Sequence, residues 1–139
     1  MKIHGSCHCQ ALRYELDSNG PYPYQKCYCS ICLKTSGGEG YTINLSADAK
    51  TLKIDGEEHL ETYRALLPPD ARRSNHHRRF CRHCGSHRWA WNNTWPELLH
   101  PVTSSVGSTL PKTPCYTHIM LKHKPDWVEP FANAEALWF

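Results

Sequence analysis

The stretch Phe80-Cys81-Arg82-His83-Cys84-Gly85-Ser86 decides how this chain folds. A Cys-x-x-Cys turn closed by glycine presents two thiolates on one side while its backbone amides can point at the sulfurs, and the glycine relieves the strain of the turn. Sulfurs this close in sequence meet the strict geometry of a disulfide poorly and suit a tetrahedral metal well. A closed site needs a second pair. Cys7-x-Cys9 supplies it, followed by the alternating Ala11-Leu12-Arg13-Tyr14-Glu15-Leu16, provided that the first hairpin packs beside the later knuckle. The alternative is a set of free, buried thiols.

A different object lies between the two pairs. Cys27, Cys29 and Cys32 place three thiolates within six residues, enough to grip one zinc and leave a fourth position free, and three protein ligands plus an open position mark a catalytic zinc. The bland reading is a second structural site completed by Cys115 or by one of the ten histidines. Cys115, between Pro114 and Tyr116 at the head of a strand, is expected to be a small buried apolar residue and not a ligand.

Composition points the same way. Leu, Ile, Val and Phe make up only 24 of the 139 residues, below the usual share of about 20% for an aliphatic core, yet the charge of +3 and the five Trp, seven Tyr and eight Cys are not those of a disordered chain. So small a core needs a covalent or metal staple. The length fits one domain over residues 1–139. The start, MKIHGSCHCQ, has no signal-peptide stretch and no run reaches membrane-span length, so a cytoplasmic protein with reduced thiols is expected, and its cysteines serve metal or catalysis. Seven thiolates and two Zn²⁺ bring the formal charge to zero.

Strand-like alternation runs through 10–16 and 41–45, with Leu52-Lys53-Ile54 entering a turn at Asp55-Gly56. Further strands are expected over His59–Arg64, Ser86–Trp91 and Thr117–Lys122, a break at Pro68-Pro69-Asp70, irregular chain from Asn92 to Pro101, and a short helix over Asn133–Leu137. No helix-period run exceeds about ten residues, so the fold is expected to be mainly β.

Gly5-Ser6-Cys7-His8-Cys9-Gln10-Ala11-Leu12-Arg13-Tyr14, Cys27-Tyr28-Cys29-Ser30-Ile31-Cys32, Phe80-Cys81-Arg82-His83-Cys84-Gly85-Ser86, and then His118-Ile119 with Trp127, resemble the glutathione-dependent formaldehyde-activating enzyme family, also called the CENP-V/GFA domain. The resemblance implies an Mss4-like fold of small antiparallel sheets stapled by zinc knuckles, with two zinc ions. It gives Cys7, Cys9, Cys81 and Cys84 to a structural site and Cys27, Cys29 and Cys32 to a catalytic-type site. It further implies a carbon–sulfur lyase, or an enzyme that joins glutathione to formaldehyde. The chain departs from the commonest pattern in Gln10, where glycine is usual, and in a longer basic run before the knuckle.

An open zinc can bind a substrate thiolate and fix its sulfur beside an electrophilic carbon, either to add glutathione or a related thiol to an aldehyde or to let a thioether lose its carbon group. His118 is the acid–base candidate on the late strand. Gly37-Gly38-Glu39-Gly40 could offer amides to a carboxylate, or Glu39 as a proton acceptor, although such runs are usually only turns. His83 and His87 are expected beside the structural knuckle. The segment from Arg72 to Arg88, with six arginines and four histidines, superficially resembles a nucleic-acid patch. Its cations could equally balance a tetrathiolate zinc or hold the carboxylates of a small acidic substrate. Two rivals follow: a non-catalytic zinc module binding protein or nucleic acid through residues 72–88, and a thiol protein that ejects zinc on oxidation.

Overall fold

The computed structural model describes residues 1–36 and 38–129. In chain order its regular elements are β1 (Lys2–Ser6), β2 (Arg13–Asp17), β3 (Tyr24–Cys27), α1 (Ser30–Ser36), β4 (Thr42–Asn44), β5 (Ala47–Asp48), β6 (Lys53–Asp55), β7 (Leu60–Tyr63), β8 (Leu66–Leu67), β9 (Arg72–Arg73), β10 (His76–Cys81), β11 (His87–Asn92), β12 (Leu98–Pro101) and β13 (Tyr116–Ile119). The fold is mainly β, built of small sheets. β1, β2 and β6 form one antiparallel sheet, β5-β12-β11-β10-β7 a second, and β8-β9 a ribbon. β13-β3-β4 is mixed, since β13 runs parallel to β3.

The core draws on the first two sheets. Ile3, Leu12, Tyr14 and Leu16 of the hairpin pack with Trp89 and Leu99 of the five-stranded sheet, and Cys7 and Cys81 belong to the same cluster. Thus the cysteines stand where a larger protein would place further aliphatic side chains. Tyr14 meets the edge of Trp89 at 5.2 Å between ring centres and shares a 2.6 Å hydrogen bond with Ser105. Its ring lies directly over Gly5, its cross-strand partner, so that a Cβ there would sit 2.2 Å from a ring carbon. Because the ring is pinned on both sides, Gly5→Ala should cost about 1–3 kcal/mol by overpacking. Denaturant titration measures this, and a loss below about 0.5 kcal/mol would show that the ring can yield.

Several expectations need correction. Asn92 to Pro101 is not irregular throughout: β12 pairs with β11 through Leu99 and Trp91, its own hydrophobic alternation cut short by Pro101. α1 escaped notice because seven residues carry less than two turns of pattern. The late strand ends at Ile119, because Met120 takes a left-handed backbone conformation (φ 62°). Cys115 is exposed, not buried, since it precedes β13 and stands outside the sheet. The helix expected over Asn133–Leu137 lies outside the described residues. Among those described, no helix is long and apolar enough to cross a membrane.

Candidate functional site

Both halves of the first cysteine cluster are hairpin turns. Between β1 and β2, the Cys7 amide donates to the Leu12 carbonyl (2.9 Å) and the Gln10 amide to the Cys7 carbonyl (3.1 Å). Gln10 adopts a left-handed φ of 64°, the conformation that makes glycine the easier residue there. Between β10 and β11, the Cys81 amide donates to Ser86 (3.1 Å) and the Gly85 amide to Cys81 (2.8 Å), with Gly85 at φ 70°. The sulfurs of Cys7, Cys9, Cys81 and Cys84 converge to within 4.8 Å of one another. Two separations, 3.5 Å for Cys7–Cys9 and 3.7 Å for Cys9–Cys81, are close to the edge of roughly 3.8 Å that a tetrahedron of 2.3 Å zinc–sulfur bonds requires.

Electrostatics separates these thiols. Burial opposes ionisation of Cys84, but hydrogen bonds from Ser86 and the Cys9 backbone outweigh it and bring its thiol down to about 5. The Ala11 amide favours a thiolate at Cys9, yet hydrogen bonding with Cys7 and the other sulfurs pushes it up to about 12. Four such neighbours ionise together only when a cation joins them, so the donor set fits zinc. Buried Arg88 supplies a nearby positive charge, facing Cys7, Cys84 and Cys81 while its guanidinium donates to the carbonyls of Ser86 (3.1 Å) and Ser6.

The second cluster sits where β3 runs into α1. β3 ends on Cys27, Cys29 lies in the connection, and Cys32 belongs to the first turn of α1, whose amide donates to the Cys29 sulfur at 3.3 Å. All three sulfurs lie within 4.8 Å of one another. Hydrogen bonds from Cys27 and Cys32 hold the Cys29 thiol far below its usual range, whereas hydrogen bonds with Cys29 and Cys32, together with burial, raise Cys27. The triad thus stabilises one thiolate unaided, and a divalent cation is what allows three. From the five-stranded sheet, Arg78 reaches in and donates through Nη2 to the Cys32 sulfur at 3.7 Å. Thr42 donates to the Cys32 carbonyl (3.0 Å) and meets Ser36 (2.7 Å), which in turn contacts His87 Nδ1 (3.1 Å). Burial lowers His87 to about 4, so at neutral pH this brace is uncharged.

The remaining candidates are placed as follows. His118 is buried on β13, shares a 2.9 Å hydrogen bond with Tyr28 and stacks on its ring. Burial, aided by the Lys26 charge, holds its imidazole below the usual value. Tyr28, between Cys27 and Cys29, was not singled out from sequence; burial and Tyr41 raise its hydroxyl to about 12. Glu39 is exposed and accepts from the Tyr41 hydroxyl at 3.0 Å. His83 is also exposed and pairs with His59 at 2.9 Å. Cys115 belongs to neither cluster. The basic stretch divides: Arg78 and Arg88 are buried, Arg79 contacts Thr62, Arg82 pairs with Glu61, and Arg72 and Arg73 are exposed.

Comparison with known proteins agrees with this geometry. The family model described as glutathione-dependent formaldehyde-activating enzyme matches residues 2–118. A Halomonas elongata protein named "Putative glutathione-dependent formaldehyde-activating enzyme" is 50% identical over 129 residues, which cover 93% of this chain and 81% of the relative. The crystal structure of a Rhodobacter sphaeroides protein is similar with a TM-score of 0.60 at 25% identity, over 80% of this chain and 92% of that one. With seven of its eight cysteines gathered into two clusters and a family match over most of its length, the chain belongs to the glutathione-dependent formaldehyde-activating enzyme family.

Proposed function

We propose that the chain is a zinc-dependent enzyme that joins glutathione, or a related small thiol, to a small aldehyde, or runs the same carbon–sulfur chemistry in reverse as a lyase. The observation that carries this reading is the difference between the clusters: four converging sulfurs in one, and three in the other with no fourth His, Cys, Asp or Glu grouped with them among the described residues. Cys7, Cys9, Cys81 and Cys84 would hold a structural zinc, and Cys27, Cys29 and Cys32 a second. Zinc at the second site would lower the pKa of an incoming thiol and hold its sulfur.

The protein's own groups do the rest. The half-exposed Cys29 marks the side from which substrate enters, while buried Cys27 and Cys32 fix the triad against β3 and α1. His118 and Tyr28 form the hydrogen-bonded pair through which a proton would pass next to the triad. In the forward direction the thiolate lone pair forms the new carbon–sulfur bond, the carbonyl π pair moves to oxygen, and that oxygen takes up a proton. The single domain over residues 1–139 is part of the same proposal. The rival module binding nucleic acid through residues 72–88 is less well supported, since burial and pairing occupy four of the six arginines.

The test is exchange of ¹³C-formaldehyde with its glutathione adduct, followed by NMR. The purified protein with its metals should accelerate exchange by at least about 100-fold, the equivalent of some 3 kcal/mol off the barrier. Exchange at the uncatalysed rate, with both metals bound, would exclude the proposal.

A further inference from the structure

Beside the four-cysteine cluster two imidazoles face each other. His59 closes the short 3₁₀ turn Glu57–His59, and His83 stands between Cys81 and Cys84 in the knuckle. The backbone brings them together. Leu60 pairs with Cys81 across β7 and β10, the Arg82 amide donates to the His59 carbonyl (2.9 Å), and the His59 amide donates to the Gly56 carbonyl (2.9 Å). Gly56 takes a left-handed φ of 79°, and a Cβ there would sit 2.0 Å from the Ala11 carbonyl oxygen, so this turn is held tightly against the loop that follows Cys9. His59 Nδ1 and His83 Nε2 lie 2.9 Å apart. A straight N–H···N bond of that length would put the ring centres roughly 5.2 Å apart, whereas they stand at 4.6 Å with the rings tilted by 58°. Both nitrogens therefore aim to one side of the line that joins them.

That is the arrangement of two neighbouring ligands of one metal ion. Imidazole nitrogens bonded to a metal at about 2.0 Å stand roughly 2.9 Å apart, with ring centres about 4.5 Å apart, when their bonds meet at a right angle, and roughly 3.3 Å apart in a tetrahedron. The observed 2.9 Å thus matches the right angles of a square or octahedral ion and not the tetrahedron that zinc prefers. Glu58 supplies the outer partner that such a ligand has: its carboxylate lies 3.4 Å from His59 Nε2, which favours the proton there and leaves the lone pair on Nδ1. Local charge favours a cation too, since Glu57 and Glu58 begin the turn and the sulfurs of the knuckle lie on either side of His83.

We propose that His59 Nδ1 and His83 Nε2 form a further metal site, for a divalent transition-metal ion of right-angled geometry such as nickel(II), with water in its remaining positions. No third His, Cys, Asp or Glu groups with them among the described residues, so the ion is held by two protein ligands and exchanges readily. The site is separate from both cysteine clusters and does not rest on the function proposed above.

The experiment titrates nickel(II) into the protein purified with its metals, and follows ¹H–¹⁵N NMR signals, bound zinc, and affinity by calorimetry; His59→Gln and His83→Gln are treated alike. Signal broadening or shift should centre on residues 57–60 and 82–84, and zinc should stay bound. Each variant should weaken binding by at least about 10-fold, since removing a ligand costs no less than removing its outer partner. Affinity within about threefold of wild type in either variant would overturn the site and leave the pair an ordinary hydrogen bond. So would signal changes centred on another exposed histidine, such as His4, His8 or His123, or zinc released in step with nickel uptake, which places nickel on the sulfurs. Where one variant does not fold, the other and the wild-type spectra decide.

Discussion

Cys81→Ser should yield a chain that is largely insoluble and, in its soluble part, without a cooperative thermal transition. Cys81 is fully buried, lies in the core cluster with Trp89 and Leu12, and is one of four sulfurs that a zinc would join. Binding a structural zinc contributes on the order of ten kcal/mol of folding free energy, and whole domains are stable by only about 5–15 kcal/mol. A serine hydroxyl is not ionised at neutral pH and would leave three thiolates crowded in the core without their fourth partner. Soluble yield, near-ultraviolet circular dichroism and metal content measure the effect. A variant that melts within a few degrees of wild type with one metal lost would show that the four-sulfur cluster does not support the fold.

Cys29→Ser should behave in the opposite way, folding normally while losing function. The Cys32 amide donates to the Cys29 sulfur (3.3 Å), a bond that a serine oxygen can also accept, and the other local contacts do not involve the sulfur: the Leu33 amide donates to the Cys29 carbonyl (2.9 Å), Thr42 anchors the Cys32 carbonyl, and Tyr28 packs beside Tyr41. What is lost is the thiolate that its two neighbours stabilise. The variant should melt within about 5 °C of wild type, carry one metal per chain, and exchange formaldehyde at least about 100-fold more slowly, since metal activation of a nucleophile is worth several kcal/mol. Equal collapse of Cys29→Ser and Cys81→Ser would abolish the distinction between the two clusters.

The division into two clusters was legible in sequence because a knuckle is local. Cys81 and Cys84, or Cys7 and Cys9, are held by one turn each, and the hairpin that follows Cys9 announces itself by alternation. What joins the pairs is long-range, yet the small aliphatic content already called for a staple there. Strands β2 and β4 were visible by alternation within a few residues, and β6, β7, β11 and the start of β13 as short strand-like runs between breaks. β3 was not, because Tyr24-Gln25-Lys26-Cys27 buries its two ends and does not alternate, although it pairs with β4 on one side and with the distant β13 on the other. Arg78 was hidden by its company. Within His76-His77-Arg78-Arg79 composition says surface, and only the parity of β10 turns Arg78 inward while Arg79 meets Thr62. Cys115 misled in the other direction, since an apolar residue beside a strand is not buried unless the strand includes it.

X-ray absorption at the zinc edge tests the central claim most directly, because it counts sulfurs around the metals with and without glutathione. Two zincs held by four and by three cysteines give an average of about 3.5 sulfurs per zinc, rising to about 4 when a thiol binds directly to the zinc of the three-cysteine site. An average of 4 before glutathione, or a value that glutathione leaves unchanged, would contradict the account.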